Sequence, residues 1–135
     1  MVNIYDDIFQ YAKQYIVEHS QYNPYVLKAT PEESKVFPLV IITQENDYLI
    51  DETLERTEKQ NELRYQIEIF ARDSSVNRQV IIEELTTLVN EVFENQIGFK
   101  RISNMPLPNI DLSVDRQELE YTGVFDELRN KIFRG

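Results

Sequence analysis

The chain reads as an α+β domain, with an antiparallel-rich mixed sheet and two main helices packed on one face. Three observations predict this. In Leu63 to Arg72, Leu63, Tyr65, Ile67, Ile69 and Ala71 alternate with Arg64, Gln66, Glu68, Phe70 and Arg72, the period-two pattern of a half-buried strand. Two other segments repeat apolar residues every three or four positions, as amphipathic helices do. The strand-like segments come in runs and do not alternate strictly with helices, which favours a segregated α+β layout.

The first helix spans Ile4 to His19. Ile4, Ile8, Ala12 and Ile16 recur every four residues with Tyr11 and Tyr15 close by, and Asp6, Asp7, Gln10, Lys13, Gln14 and Glu18 fill the other positions. Asn3 is placed to cap its start, and Gln21 to Pro24 reads as its stop. Pro31 opens a short polar connection. Val36 to Thr43 then reads as a strand, and the unbroken apolar run Leu39-Val40-Ile41-Ile42 predicts burial on both faces. Pro38 fits only near the beginning of that strand or on an edge.

Gln44 to Glu62 is the least core-like stretch. Seven acids (Glu45, Asp47, Asp51, Glu52, Glu55, Glu58, Glu62) face two bases, Arg56 and Lys59, a net of −5, and only Tyr48, Leu49, Ile50 and Leu54 are large and apolar. We read it as an acidic loop or hairpin protruding from a single domain that spans residues 1–135. A long excursion of this kind is unusual in a compact domain and is as a rule functional or mobile.

After the strand Leu63 to Arg72, Ser74 and Ser75 are each suited to cap a second helix running to about Asn95. Ile81, Leu85, Leu88 and Val92 form its core stripe, widened by Ile82, Val89 and Phe93, while Glu83, Glu84, Asn90, Glu91 and Glu94 are assigned to solvent. Gly98 falls where a left-handed helix cap belongs. A short strand, Phe99 to Ser103, leads into a connection with Pro106 and Pro108. Gln117 to Phe125 and Asn130 to Arg134, joined at Asp126-Glu127, read as a final antiparallel hairpin.

Composition narrows the function classes. The chain has 135 residues, 24 acidic against 14 basic side chains for a net charge of −10, with 41% hydrophobic and 11% aromatic residues, which suits one globular domain. It has no cysteine, which removes disulfides, thiolate zinc sites and a thiol nucleophile. No apolar run is long enough to span a membrane, and Met1 to Asp7 carries acid where a signal peptide carries base. The negative charge disfavours tight nucleic-acid binding, which needs clustered lysine and arginine.

Catalytic chemistry has little to build on. His19 is the lone histidine and reads as a surface residue near a helix C-terminus. The adjacent pairs Asp6-Asp7, Glu32-Glu33 and Glu83-Glu84 diverge in helical geometry. Glu118 and Glu120 share one strand face and read as like charges on an exposed strand. Three glycines, Gly98, Gly123 and Gly135, make no phosphate loop. Tyr65, Phe70, Phe99 and Tyr121 lack the interleaved bases of a nucleic-acid stacking platform and are assigned to core and interface packing. The expectation is a non-enzyme with no catalytic, cofactor-binding or metal residues.

Several stretches carry a resemblance. They are Phe37-Pro38-Leu39-Val40-Ile41 followed by the acidic insertion, Leu63-Arg64-Tyr65-Gln66-Ile67-Glu68-Ile69-Phe70 leading into the second helix, Gly98-Phe99-Lys100-Arg101 with Pro106-Leu107-Pro108-Asn109 downstream, and Arg116 with Leu119-Glu120-Tyr121-Thr122-Gly123-Val124 and Ile132-Phe133-Arg134. In order and spacing the chain resembles the tail terminator (tail completion, head–tail joining) proteins of long-tailed bacteriophages over nearly everything from Val36 on. It departs where a tyrosine is expected at Phe133 and a second base at Gly135. The resemblance implies a structural virion protein made in the bacterial host cytoplasm. Its expected form is a homo-oligomer, usually a hexameric ring, that caps the tail tube protein and presents a docking surface to the head–tail connector or neck. It implies no cofactor, metal or membrane.

Physical reasoning agrees with a ring. An acidic subunit lining a lumen repels phosphates and lets genomic DNA pass without specific binding. The candidate interface residues are Tyr48, Leu49, Ile50, Leu54 and Arg56 in the acidic excursion, read as an arm toward a neighbour, and Ile132, Phe133 and Arg134, whose strand edge is free to pair. Against the arm stands a solvated loop, and against Ile132 and Phe133 stands ordinary core packing. The alternatives for the whole protein are a head-side neck protein (head completion or stopper) and a cytoplasmic binding adaptor that never joins a virion.

Overall fold

The computed structural model describes residues 4–28, 37–49, 60–108, 112–126 and 131–133. In chain order the elements are α1 (Ile4–His19), β1 (Tyr25–Leu27), β2 (Leu39–Leu49), β3 (Gln60–Arg72), α2 (Arg78–Asn90), a π-helical turn (Glu91–Ile97), β4 (Lys100–Leu107), β5 (Val114–Asp126) and β6 (Lys131–Phe133). This is the expected α+β class. Five strands lie in the order β1-β2-β3-β5-β4, and β6 pairs with β5. β1 runs parallel to β2, and every other pairing is antiparallel.

The alternation read in Leu63 to Arg72 decides which face is covered. Leu63, Tyr65, Ile67, Ile69 and Ala71 are all fully buried. They share one core with Val40 and Ile42 of β2, Val26 of β1 and Leu119 and Tyr121 of β5. Ile8, Phe9, Ala12 and Ile16 of α1 pack into this core, as do Ile81, Ile82, Leu85 and Val89 of α2. Both helices therefore lie on one side of the sheet. No described helix or strand covers the other side.

Local chemistry sets the boundaries. Asn77, not Ser74 or Ser75, caps α2, its side-chain oxygen accepting from the Gln79 amide at 2.8 Å. Ser74 is occupied by its own turn, with its Oγ accepting from the Val76 amide. The helix then widens from Glu91 to Ile97, and Gly98 ends it at φ 101°. There the amides of Gly98 and Phe99 both reach the Phe93 carbonyl, at 3.0 and 2.8 Å. A positive φ of that kind suits a residue without Cβ. Val92, Phe93 and Phe99 are fully buried around this turn.

Three expectations change. β1 was not anticipated: Tyr25–Leu27 pairs with Leu39–Ile41, a three-residue element too short to show a period. The strand expected over Val36 to Thr43 runs from Leu39 to Leu49, and Gln60 to Glu62 extend β3. The flanks of the acidic excursion are thus sheet, with residues 46–49 registered on 64–61 beyond a bulge near Glu45, while residues 50–59 lie outside the described residues. Pro106, assigned to a connection, belongs to β4, where an edge strand tolerates the missing donor.

Ile67 sits at the centre of this arrangement with no exposure. Ile67→Ala is expected to cost about 2–5 kcal/mol. Ile67→Asp, which places an unpaired charge in the core, should abolish the cooperative melt followed by circular dichroism. A normal melt for Ile67→Asp would contradict the strand register.

Candidate functional site

Cross-strand register brings together the two segments singled out as interface. Leu49 is paired with Asn61, Asn61 with Phe125 and Phe125 with Ile132. In the next row Tyr48 is paired with Glu62, Glu62 with Val124 and Val124 with Phe133. Tyr48, Leu49, Ile132 and Phe133, more than 80 positions apart in the chain, therefore stand at one end of the sheet in two adjacent rows. Ile50, Leu54, Arg56 and Arg134 lie outside the described residues, as does the Asn3 cap.

The open face of the sheet carries a mixed surface. One row runs Tyr25, Leu39, Phe70, Arg116, Leu107, and the next runs Leu27, Ile41, Glu68, Glu118, Met105. Leu39 and Ile41 are buried, flanked in the ladder by Tyr25 and Phe70 and by Leu27 and Glu68. The expectation of burial on both faces of β2 holds, and cross-strand side chains supply part of the cover. Arg116 Nε donates to Glu68 Oε2 at 2.7 Å, its terminal nitrogen reaches the same oxygen, and its guanidinium lies 5.5 Å from the Phe70 ring centre. Arg72 lies 4.6 Å over Phe37. Arg116 is held by charge and by ring face together, and Arg72 rests on a ring face.

Glu118 accepts from Gln66 Nε2 at 2.7 Å. Burial, reinforced by Glu45 and Glu118, raises the Glu120 carboxyl above the usual carboxylate range, with Arg64 opposing it. Among the described residues, no group of three or more histidine, cysteine or acidic side chains is placed to hold a metal ion. His19 is exposed on the last turn of α1. Its ring stacks on Tyr15 at 4.0 Å, and its Nδ1 donates to the Tyr15 carbonyl at 2.8 Å. That is the surface role expected of it.

The aromatic residues divide as their positions dictate. Tyr65, Phe93, Phe99 and Tyr121 form a buried cluster with ring centres 5.2–6.1 Å apart. Their polar tips are paired: Tyr65 Oη donates to Gln44 Oε1 at 2.5 Å, and Tyr121 Oη donates to Asn90 Oδ1 at 3.0 Å. Tyr5 Oη, from α1, donates to the Ile42 carbonyl at 2.7 Å. Core packing is thus the role of Tyr65, Phe99 and Tyr121, whereas Phe70 lies half-buried on the open face beneath Arg116. Asn90, assigned to solvent, is instead the acceptor that completes Tyr121. Glu84 likewise accepts from Ser20 Oγ at 2.6 Å and joins the end of α1 to α2.

The surface feature that sequence reasoning missed is the rim formed by β4. β5 is paired with β3 along its whole length, so β4 and β6 share its other edge end to end, and β4 has no strand on its far side among the described residues. Six of its eight residues are exposed, including Ile102 (42%) and Met105 (47%). A bulge at Ile102 interrupts its register. The only sequence signal was the pair Lys100-Arg101 ahead of an apolar residue.

No protein-family model matches the chain, and no curated protein matches it either. Among the described residues, no helix is long and apolar enough to cross a membrane.

The Tyr121 pairing generates a measurable expectation. Asn90→Ala leaves the buried hydroxyl without its acceptor and should cost about 1–3 kcal/mol in chemical denaturation. Tyr121→Phe in the same chain should recover most of that loss. Equal destabilisation in the single and double variants would mean that the hydrogen bond is not the cause.

Proposed function

We propose that this chain is a structural virion protein, a tail terminator, that assembles with copies of itself into a ring on the end of a phage tail tube and joins it to the head-side neck. The observation that carries the reading is that the two segments singled out as interface reach the same end of the sheet, with β3 and β5 between them, in the rows Leu49–Asn61–Phe125–Ile132 and Tyr48–Glu62–Val124–Phe133. Residues 50–59 follow β2 and precede β3 in the chain, and they are the acidic segment that one subunit would offer to another. The open sheet face and the free rim of β4 give each subunit a second surface, which head-to-tail closure into a ring requires.

The acidic charge fits the same role. A net charge of −10 per chain multiplied around a ring repels DNA phosphates from the lumen. The genome then passes without adhesion. The chemistry of such a subunit lies in its contacts and its shape.

Size-exclusion chromatography with light scattering, with and without purified tail tubes, tests the reading. A ring in solution, or a monomer that becomes a ring on tubes under negative-stain microscopy, is the expected outcome. A monomer that binds only head-side connectors would make it a neck protein, and one that binds neither would make it an adaptor. Replacing residues 50–60 by Asn-Gly closes the hairpin at the Leu49–Asn61 pair with a favoured two-residue turn. That variant should melt as the parent does and fail to form rings. Unaltered assembly would remove the arm from the account.

A further inference from the structure

The rim of β4 stands out in charge as well as in exposure. Lys100-Arg101 is the only adjacent pair of basic residues in this acidic chain, and β4 contains no acid. Lys100 and Arg101 are both exposed. Lys100 is registered on Thr122, and Thr122 on Arg64, which is also exposed. β6, with Lys131, follows β4 along the same edge of β5, since Phe133 is registered on Val124. Lys100 and Arg101 thus form a basic corner at one end of an edge that has no strand partner among the described residues. Ile102 and Met105 add apolar surface along it.

The same chain holds the complement. Residues 50–59 carry four acids, Asp51, Glu52, Glu55 and Glu58, against Arg56 and Lys59, with Ile50 and Leu54 as their large apolar residues. We propose that the acidic segment 50–59 of one copy docks along the free edge of β4 in the next copy, with its carboxylates on Lys100 and Arg101 and its apolar side chains against Ile102 and Met105. An unpaired strand edge offers main-chain donors and acceptors to an added segment, and opposite charge selects which segment comes. The contact is heterologous, because the acidic segment and the β4 edge are different surfaces of one subunit. It propagates from copy to copy and closes if the rotation per subunit allows. This inference rests on the self-assembly proposed above and specifies the surface that receives the arm.

Charge exchange in the full chain tests it. One variant carries Lys100→Glu and Arg101→Glu, and the other carries Glu52→Lys and Glu55→Lys. Each alone should associate at least about tenfold more weakly than the parent in sedimentation velocity at low salt, because like charges then face each other. Mixed in equal amounts they should associate again, since each supplies the surface the other has lost. Arg101 also reaches Asn90 at 3.5 Å, so Lys100→Glu alone is the control for folding and should weaken association in the same direction.

Parent-like association of both variants, or a mixture that stays apart while the parent associates, would overturn this docking and leave the ring reading intact. A parent chain that remains monomeric even on tail tubes would remove the ring and the docking together. If duplex DNA raised the anisotropy signal with the parent and not with Lys100→Glu, at unchanged self-association, the corner would be a nucleic-acid contact and the proposal would fall.

Discussion

The structure depends on one constraint, the complete burial of the inner side of β3. This strand is paired along its length with β5 and over most of it with β2, and its five inward side chains from Leu63 to Ala71 have no exposure. Once that face is apolar, both helices must lie on it, since neither can bury its own stripe elsewhere. Two helices cover the middle of the sheet. Among the described residues, no helix or strand covers the opposite face or the far edge of β4.

The core tolerates two tyrosines at its centre because each hydroxyl finds an acceptor. Tyr65 donates to Gln44 and Tyr121 to Asn90, so neither leaves an unsatisfied polar group in an apolar setting. These bonds also tie separate elements together, β3 to β2 and β5 to the end of α2. The geometry passes from the aromatic cluster to the π-helical turn and the Gly98 cap, where the chain turns back to start β4. The position of Lys100 and Arg101 at the rim is therefore set by the same packing that buries Phe93 and Phe99.

Much of this was legible because the signals were local. The 3.6-residue period located α1 and placed the body of α2, and the alternation in Leu63 to Arg72 told inward from outward. Gly98 was readable because a left-handed cap excludes most other residues. What could not be read depended on distant partners. β1 is three residues long and exists because β2 lies parallel beside it. Asn90 looks like a solvent-facing helix residue until β5 carries Tyr121 against it. Ser74 and Ser75 were as good a cap as Asn77 by type, and the local turn at Ser74 decided between them. Tyr48 and Leu49 share an end of the sheet with Ile132 and Phe133 only because β3 and β5 pair between them.

By itself the sequence determined the class of the fold and the inner and outer faces of its central strand. These are properties of residue type and short-range period, which survive in any chain conformation. The tertiary structure alone decided the strand order, the placing of Tyr48, Leu49, Ile132 and Phe133 at one end of the sheet, and the position of Lys100 and Arg101 on a rim with no strand partner among the described residues. Register and strand order arise from pairing between residues far apart in the chain, and no local pattern encodes which partner will be found.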